Sequence, residues 1–503
     1  MLSAIRSEEE TNSLRIKIQK LLNELDTLCH NKEEFTQFLC DSLLGRASKT
    51  ASPAIQSCIS RIRTESNTDT ALINHIVLEK LYWQLQKQNK LPDESFQRTY
   101  TEAQIFAWAY MHIMALKSEK SLGYIALDLK KKQLNLLDPE KWNTLCAAIS
   151  MLPLRIVQLQ DNDLSELSSN QRLAFGRALK QACTHTLSFG TNKLGKTRPD
   201  RWTAFCVSIA ISQVKWLDLK YSDLLSLLPE QWLELGRALK TAGIVSLSVA
   251  FNDLDKMSDQ QWNAFLLCLQ MADLTELNFR GNNAHLLSDK RLIELFNVTR
   301  MAGIKALLLG WNYLDKLFLS PERQDIFCDS LATSELSTLD LYTNDLQKLT
   351  FEQWLKLFSA CKLAGIQTFN LFGNYFDQLS SEQWEDFFNA YKISGITSLG
   401  LPQEIFASPV AWVAFCYGLT NARVTTFDFS SMNLDQQKQQ QLHTIIMQNR
   451  QAERNNSTFY SNNPMHHSLW HKHAAEVADK LSRREHPLAS PKITGEPTCK
   501  IRL

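Results

Sequence analysis

The stretch Leu247-Ser-Val-Ala-Phe-Asn252-Asp-Leu254 decides the fold, because its spacing of apolar residues around an asparagine recurs along most of the chain. Close copies occupy residues 157–164 and 187–194. The asparagine position, called the slot below, falls at residues 132, 162, 192, 222, 252, 282, 312, 344, 374, 404 and 432. Nine of the ten intervals are 30 to 32 residues and the last is 28, so the chain is a repeat array. Four degenerate copies carry Lys132, Ser222, Glu404 and Met432 in the slot.

The second half of each repeat predicts a helix with its own start and stop signals. Six residues after the slot stands a helix-capping residue in six repeats: Asp138, Ser168, Ser258, Ser288, Thr350 and Ser380. Glutamine follows three residues later in four of them, which predicts capping boxes at Gln171, Gln261, Gln353 and Gln383. Proline takes the first helical position at Pro139, Pro199 and Pro229. Glycine 21 residues after the slot predicts the helix end at Gly243, Gly303, Gly365 and Gly395.

Tryptophan recurs ten residues after the slot, at positions 142, 202, 232, 262, 354 and 384. Tryptophan is often a binding hot spot, so one interpretation is a recognition stripe. Because the placement is regular and lies on the predicted helix layer, we expect these side chains to belong to the core instead.

One strand and one helix cannot bury their apolar faces alone, so neighbouring repeats must stack with their strands in parallel. We expect the slot asparagine to bond to backbone groups of adjoining turns. Because a helix is wider than the spacing between strands, the stack should curve into a horseshoe with strands on its concave face and helices on its convex face. The predicted fold class is therefore an α/β solenoid with an N-terminal helical cap.

The strand–helix alternation and the long repeat resemble the ribonuclease-inhibitor-like subclass of leucine-rich repeats over roughly residues 122–435. Glu-Gln-Trp at helix starts and Ala-Gly-Ile before strands resemble the leucine-rich-repeat effectors of Legionella. That resemblance implies a cytoplasmic protein that a bacterium secretes into the host cell, where it binds proteins. The final residues lack the glutamate-rich block that is common in that group.

The two ends of the chain carry no clear repeat. The predicted domains are a helical cap at 1–120, a solenoid of about 11 repeats with a 30-residue period at 121–435, and a closing helix with a loosely ordered tail at 436–503. Within the cap, an apolar stripe from Leu14 to Leu28 predicts one helix and Phe35 begins another. Residues 47–54 are interpreted as a loop, and 69–88 and 101–117 as further helices. The last of these should cover the first repeat. The tail holds a histidine group, His466, His467, His471 and His473, interpreted as surface histidines.

The composition excludes several function classes. A formal charge of +1 gives no reason to expect a dedicated nucleic-acid binder, and no apolar run is long enough for a membrane span. The eleven cysteines form no zinc-like spacing, and most lie at helix-core positions, as buried free thiols would. No catalytic or phosphate-binding motif occurs. The sequence therefore predicts no cofactor, no metal and no catalytic residues.

The candidate site lies between and just after the inward-pointing strand residues, on the predicted concave face. The early repeats place small or polar residues there, such as Gln160, Ser188 and Gly190. The later repeats place large aromatics and one arginine: Tyr221, Phe251, Arg280, Trp311, Tyr342 and Phe372, with Tyr313 and Tyr375 in the adjoining loops. These residue types dominate interface energetics. The alternative is that the aromatics only stack on one another across the strands.

These patterns favour a monomeric protein that masks or inhibits a protein target through its concave face. An adaptor whose N-terminal helices recruit a second partner is the main alternative. An enzyme with an unrecognised site is a further one.

Overall fold

The chain divides into two compact units, residues 1–341 and 342–503. The computed structural model describes residues 8–46, 51–66, 69–93, 95–118, 125–427, 429, 432 and 434–456. The predicted domain boundaries after residues 120 and 435 do not coincide with this division and stay predictions. The histidine group and the rest of the tail beyond residue 456 lie outside the described residues.

Unit 1 opens with five helices: α1 (Glu8–Leu28), α2 (Lys32–Leu44), α3 (Pro53–Ser66), α4 (Thr70–Lys87) and α5 (Glu102–Ser118). The predicted stripe on α1 is buried from Leu14 to Leu25, and α4 and α5 occur where the sequence predicts them. The loop interpretation of residues 53 and 54 was wrong. Pro53 is the first residue of α3, where its missing N–H costs no hydrogen bond.

Repeats follow in unit 1, each with a strand, a turn through the slot and a helix. The strands are β1 (Ile125–Asp128), β2 (Leu154–Gln158), β3 (Thr186–Ser188), β4 (Trp216–Asp218), β5 (Ser246–Ser248), β6 (Glu276–Asn278), β7 (Ala306–Leu308) and β8 (Thr338–Asp340). The helices are α6 (Pro139–Ser150), α7 (Ser169–Gln181), α8 (Pro199–Ser212), α9 (Pro229–Ala242), α10 (Asp259–Met271), α11 (Asp289–Met301), α12 (Leu314–Leu317) and α13 (Pro321–Ala332). As predicted for the last helix of the cap, α5 packs against α6 of the first repeat.

The eight strands pair in parallel, each with the next along the chain. The register aligns the first apolar residue of each repeat, so that Leu187, Leu217 and Leu247 are direct neighbours. These leucines, and the second apolar residue two positions later, are almost fully buried. The expectation that both positions point into the core is confirmed.

The predicted helix signals are confirmed by geometry. All six predicted caps accept a hydrogen bond from the backbone N–H three residues later. The four predicted capping boxes are formed. Gly243, Gly303 and Gly365 adopt left-handed φ values of 66° to 82° at their helix ends. Gly395 is also left-handed, at φ 74°, but the helix end predicted there was wrong, because that helix already ends at Tyr391. A residue with a Cβ atom would be strained in that conformation.

The slot asparagines are buried, and their side chains join consecutive repeats. Asn312 Oδ1 accepts from the N–H groups of Asn282 (3.1 Å) and Ala284 (2.9 Å) of the preceding repeat. Its Nδ2 donates to Phe279 O of that repeat and to Leu309 O of its own. The same pattern recurs at Asn162 and Asn252. The predicted bonds to adjoining turns are therefore confirmed.

Unit 2 contains two strands, β9 (Thr368–Asn370) and β10 (Ser398–Gly400), paired in parallel. Its helices are α14 (Phe351–Ala364), α15 (Ser381–Tyr391), α16 (Glu404–Ala407), α17 (Pro409–Asn421) and α18 (Gln436–Asn456). Asn374 keeps the slot geometry by accepting from the N–H of Asn344 (2.8 Å). The slot at Glu404 does not, because Glu404 begins α16. The predicted closing helix is α18.

The six repeat tryptophans are core residues, each at most 3% exposed. Trp142 and Trp202 donate from Nε1 to backbone oxygens of the next repeat, Gln171 O (2.9 Å) and Gln231 O (3.0 Å). Trp262 donates to Glu294 Oε2 at 2.9 Å. The prediction of core packing over a recognition stripe is confirmed.

We expect Asn312→Ala to lower the free energy of unfolding by about 1–3 kcal/mol, because it removes the partners of buried backbone groups. Chemical denaturation measures this loss. The matched control is Asn263→Ala on the exposed side of α10, which should be nearly neutral. Equal stability of the Asn312 variant and the wild type would contradict the scaffold role of the slot.

Trp262→Ala should lower the free energy of unfolding by about 3–5 kcal/mol through the cavity that it leaves. Trp83→Ala is the control, because that ring on α4 is 50% exposed and should lose much less. A thermal melt of both variants would refute core packing if Trp262→Ala were the milder change.

Candidate functional site

The turns after the strands of unit 1 form a continuous backbone ladder that positions the candidate side chains. Tyr221 N–H donates to Ala250 O (3.1 Å), Phe251 N–H to Arg280 O (2.8 Å), and Gly281 N–H to Gly310 O (2.9 Å). The residues immediately before and after each slot are left-handed in these turns, as Trp311 (φ 57°) and Tyr313 (φ 53°) show. Consecutive repeats therefore present the residue before the slot at neighbouring places on one surface.

Tyr221 and Phe251 are brought together by this ladder. Their rings stack at a centroid distance of 4.5 Å with an interplanar angle of 11°. The Phe251 ring in turn lies over Gly281, where a Cβ atom would be only 2.2 Å from it. Tyr221 is 50% exposed and Phe251 is half-buried. For this pair, the alternative that aromatics stack across repeats describes the observed contact.

Trp311 and Tyr313 flank the slot residue Asn312, and each exposes more than two-fifths of its surface. The Tyr313 ring contacts His285 edge-on at 5.3 Å, and Lys316 Nζ lies 4.6 Å from its centroid. Burial lowers the pKa of His285, whose Nδ1 lies 3.1 Å from Asn312 O. We call Tyr221, Phe251, Trp311 and Tyr313 the aromatic turn surface.

Arg280 belongs to an ion pair that spans two repeats. Its Nη2 donates to Asp340 Oδ2 at 2.6 Å, and the Asp340 side chain is only 5% exposed. Its backbone N–H donates to Asn278 Oδ1. Arg280 is therefore held in place inside unit 1, half-buried beside the aromatic turn surface.

Unit 2 holds the other three candidate residues. Tyr342 and Phe372 are half-buried, and their ring edges lie near Gly373 and Gly400 of the following repeats. Tyr375 is about half-exposed at a left-handed position, φ 54°. As in unit 1, a glycine in the following repeat leaves room for an aromatic ring.

All eight candidate residues lie two to five residues after the end of a strand, and none of them is part of a strand. The alternation of side chains along a strand therefore does not set the direction of these side chains. For Tyr221, Phe251 and Trp311, the left-handed turn sets it. Sequence reasoning missed this handedness, as well as His285 and Lys316 beside Tyr313. The signal was present, because the positions around the slot repeatedly carry Asp, Asn or Gly, the types that adopt positive φ most readily: Asp161, Asp163, Asp223, Asp253, Gly281, Asn283, Asp345 and Gly373.

The cysteines of the described residues are mostly buried thiols. Eight of the ten cysteines in the described part of the chain are buried, while Cys29 is partly exposed and Cys183 is exposed. Burial raises the pKa of Cys29 to about 11 and raises those of Cys146 and Cys268 further, which disfavours the thiolate. Among the described residues, no group of three or more His, Cys, Asp or Glu side chains has metal-binding geometry. No described helix has both the length and the apolar character needed to cross a membrane.

Comparison with protein-family models and with curated proteins finds no match. Among solved structures, the leucine-rich repeat-containing protein LegL7 from Legionella pneumophila is similar, at 20% identity and a TM-score of 0.47. The likeness covers 59% of this chain and 88% of that chain. The assignment here rests on strands, slot turns and helices that alternate at constant spacing, with the strands in parallel register. The chain is a leucine-rich-repeat solenoid. Solenoids of this class present extended surfaces on which proteins bind.

A double-mutant cycle tests whether the Tyr221–Phe251 stack of this leucine-rich-repeat protein stabilises the fold. We expect a coupling of about 0.5–1.5 kcal/mol between Tyr221→Ala and Phe251→Ala, as for aromatic pairs in general. Denaturant unfolding of the two single variants and the double variant gives this number. Additive losses would show that the contact between the two rings does not stabilise the fold.

Proposed function

We propose that this leucine-rich-repeat protein binds a protein target through the aromatic turn surface of unit 1 and thereby masks or inhibits it. Arg280 would contribute within unit 1, while Tyr342, Phe372 and Tyr375 are a second candidate set within unit 2. The structure of the repeat supports a protein-binding scaffold, and the nature of the exposed side chains supports the particular residues.

One observation carries the proposal. Bulky aromatic residues stand immediately before the slot in some repeats, whereas other repeats have other residue types there in the same backbone conformation. The residue before the slot is Lys131, Asp161, Thr191 or Gly281 in other repeats, all with positive φ. The fold therefore requires no aromatic side chain there. A left-handed conformation costs a non-glycine residue roughly 1–3 kcal/mol. Lys131, Asp161 and Thr191 carry the same cost, so the backbone does not account for the aromatic side chains. Half-exposed aromatics are the residue type that dominates interface energies.

A bacterial effector role is part of the proposal. It rests on the Glu-Gln-Trp and Ala-Gly-Ile elements of the repeats, which resemble those of the Legionella leucine-rich-repeat effectors. On this proposal, the target is a host protein in the host cell cytoplasm and the bound chain is a monomer. The proposed action is steric and needs no catalytic residue or cofactor.

We expect Trp311→Ala and Tyr342→Ala each to weaken target binding tenfold or more, since buried aromatics dominate interface energies. The target is first isolated by affinity purification of the full chain from host-cell lysate, and its affinity is then measured by calorimetry with each variant. Thermal melting should change little.

Leu267→Ala is the matched control, because Leu267 is a 47% exposed apolar residue on the helix side of unit 1. Its affinity should equal that of the wild type. Full binding by both aromatic variants would place the interface on the loops or the N-terminal helices.

A further inference from the structure

The turns that lead from each helix into the next strand form a second backbone ladder in unit 1. His185 N–H donates to Arg155 O (2.9 Å), Lys215 N–H to His185 O (2.8 Å), and Val245 N–H to Lys215 O (2.9 Å). Residues 155, 185 and 215 thus occupy consecutive rungs, about 4.8 Å apart as neighbouring strands are. Three basic residue types stand side by side.

The turns that contain these rungs are rich in cations. Residues 150–155, 180–186, 210–216 and 240–246 contain no Asp or Glu. Their cationic residues, called the basic edge below, are Arg155, Lys180, Lys215 and Lys240. Arg155, Lys180 and Lys240 are exposed. The corresponding segment of the next repeat does contain acidic residues, Asp273 and Glu276. The basic edge therefore contrasts with the overall charge of +1.

Lys215 and His185 show how this edge is organised. Lys215 Nζ donates to Ala242 O (3.3 Å) and Gly243 O (3.1 Å) at the end of α9, which fixes its ammonium group at the turn. The pKa of His185 is lowered, first by burial and then by the charges of Arg155 and Lys215. Burial is the larger cause of this shift, and the two cations act in the same direction because they disfavour a protonated ring.

The basic edge and the aromatic turn surface lie at opposite ends of the strands of unit 1. The basic edge lies around the starts of strands β2 to β5, with Arg155 near the start of β2, and the aromatic turns follow strands β4, β5 and β7. A three-residue strand separates its two ends by about 10 Å. One ligand that covers the aromatics would leave the basic edge accessible.

We propose that the basic edge binds a short acidic segment of a second protein. Arg155 and Lys215 lie two rungs apart, about 10 Å, which is the reach of about three extended residues. Lys180 and Lys240 lie in the last turns of α7 and α9, five residues before rungs 185 and 245. Single-strand binders stack several bases on aromatic platforms beside their cations, whereas the segments of the basic edge hold one aromatic residue, Trp216, whose ring already packs against His185 at 6.1 Å. A membrane surface would need a wider cationic area with apolar anchors. Carboxylates along an extended peptide match the spacing and the sign of the charge.

The test uses the full chain and a fluorescent ten-residue peptide of alternating Glu and Ser, with affinity measured by anisotropy. The double variant Arg155→Glu and Lys180→Glu should bind at least tenfold more weakly than the wild type. The milder Arg155→Gln and Lys180→Gln pair should be intermediate, and thermal melts of both should match the wild type. Added salt should weaken wild-type binding, since the edge is exposed.

The matched control is Lys196→Glu with Lys256→Glu, an equal charge change at the other end of the strands. It should alter the peptide affinity less than twofold. Peptide binding should also raise the pKa of His185 in an NMR titration, because a nearby negative charge favours the protonated ring. The histidine signal is assigned with His185→Gln.

Three results would overturn the proposal: no peptide binding at low salt, an equal loss in the control pair, or tighter binding of a ten-nucleotide single-stranded DNA or of anionic lipid vesicles. The result of this peptide-binding test is independent of the result for the proposed target site. Trp311→Ala should leave peptide binding unchanged, and the basic-edge variants should leave binding of the aromatic-surface target unchanged.

Discussion

The carboxamide of the slot asparagine is the interaction on which the other features depend. In Asn282, Oδ1 accepts from the N–H groups of Asn252 (3.0 Å) and Leu254 (3.3 Å) in the preceding repeat, while Nδ2 donates to Val249 O and Phe279 O. One side chain thus satisfies backbone groups of two turns that would otherwise be buried without partners. Because those bonds fix the turn, they also fix the left-handed residues on either side of the slot. The direction of Phe251 and Trp311 follows from a neighbour that no target touches.

A second set of contacts ties each helix start to the turn of the repeat before it. Gln261 Nε2 donates to Leu225 O (2.8 Å) and Leu227 O (2.9 Å), and Arg291 Nη2 donates to Met257 O (2.7 Å). Arg323 repeats this contact with Leu287 O. These side chains stand at the third helical position, and Gln261 both closes its capping box through Oε1 and bridges to the preceding repeat through Nε2. Register between repeats is therefore fixed at the helix layer as well as at the slots.

Sequence reasoning succeeded where the signal is local and periodic. The caps, the terminal glycines, the slot asparagines and the buried tryptophans each recur at a fixed offset, so their role in one repeat predicts it in the others. It failed where the structure depends on contacts between residues far apart in sequence or on the handedness of the backbone. The pairing of Arg280 with Asp340 across 60 residues is set by the stacking of repeats and has no local signature. Glu404 begins a helix although its offset predicts a slot. Proline breaks the interior of a helix, which suggests a loop at Pro53. It is tolerated at the first helical position, where the structure places Pro53. The eight candidate contact residues remain predictions.

The division between scaffold and recognition in this solenoid follows from which backbone groups each position must satisfy. Side chains at the slot, cap and tryptophan positions make the hydrogen bonds and packing contacts that hold the repeats together. We therefore expect substitutions there to lower the free energy of unfolding. The residue before the slot satisfies its N–H through the next backbone, whatever its side chain, as Asp161, Tyr221 and Phe251 show. The rung residues Arg155, His185 and Lys215 are bonded through backbone in the same way. Side chains at the two ends of the strands are therefore free to vary while the ladders stay intact. A surface can accumulate aromatics at one end and cations at the other without loss of the fold, and this is the physical basis for the two recognition surfaces that we propose in unit 1.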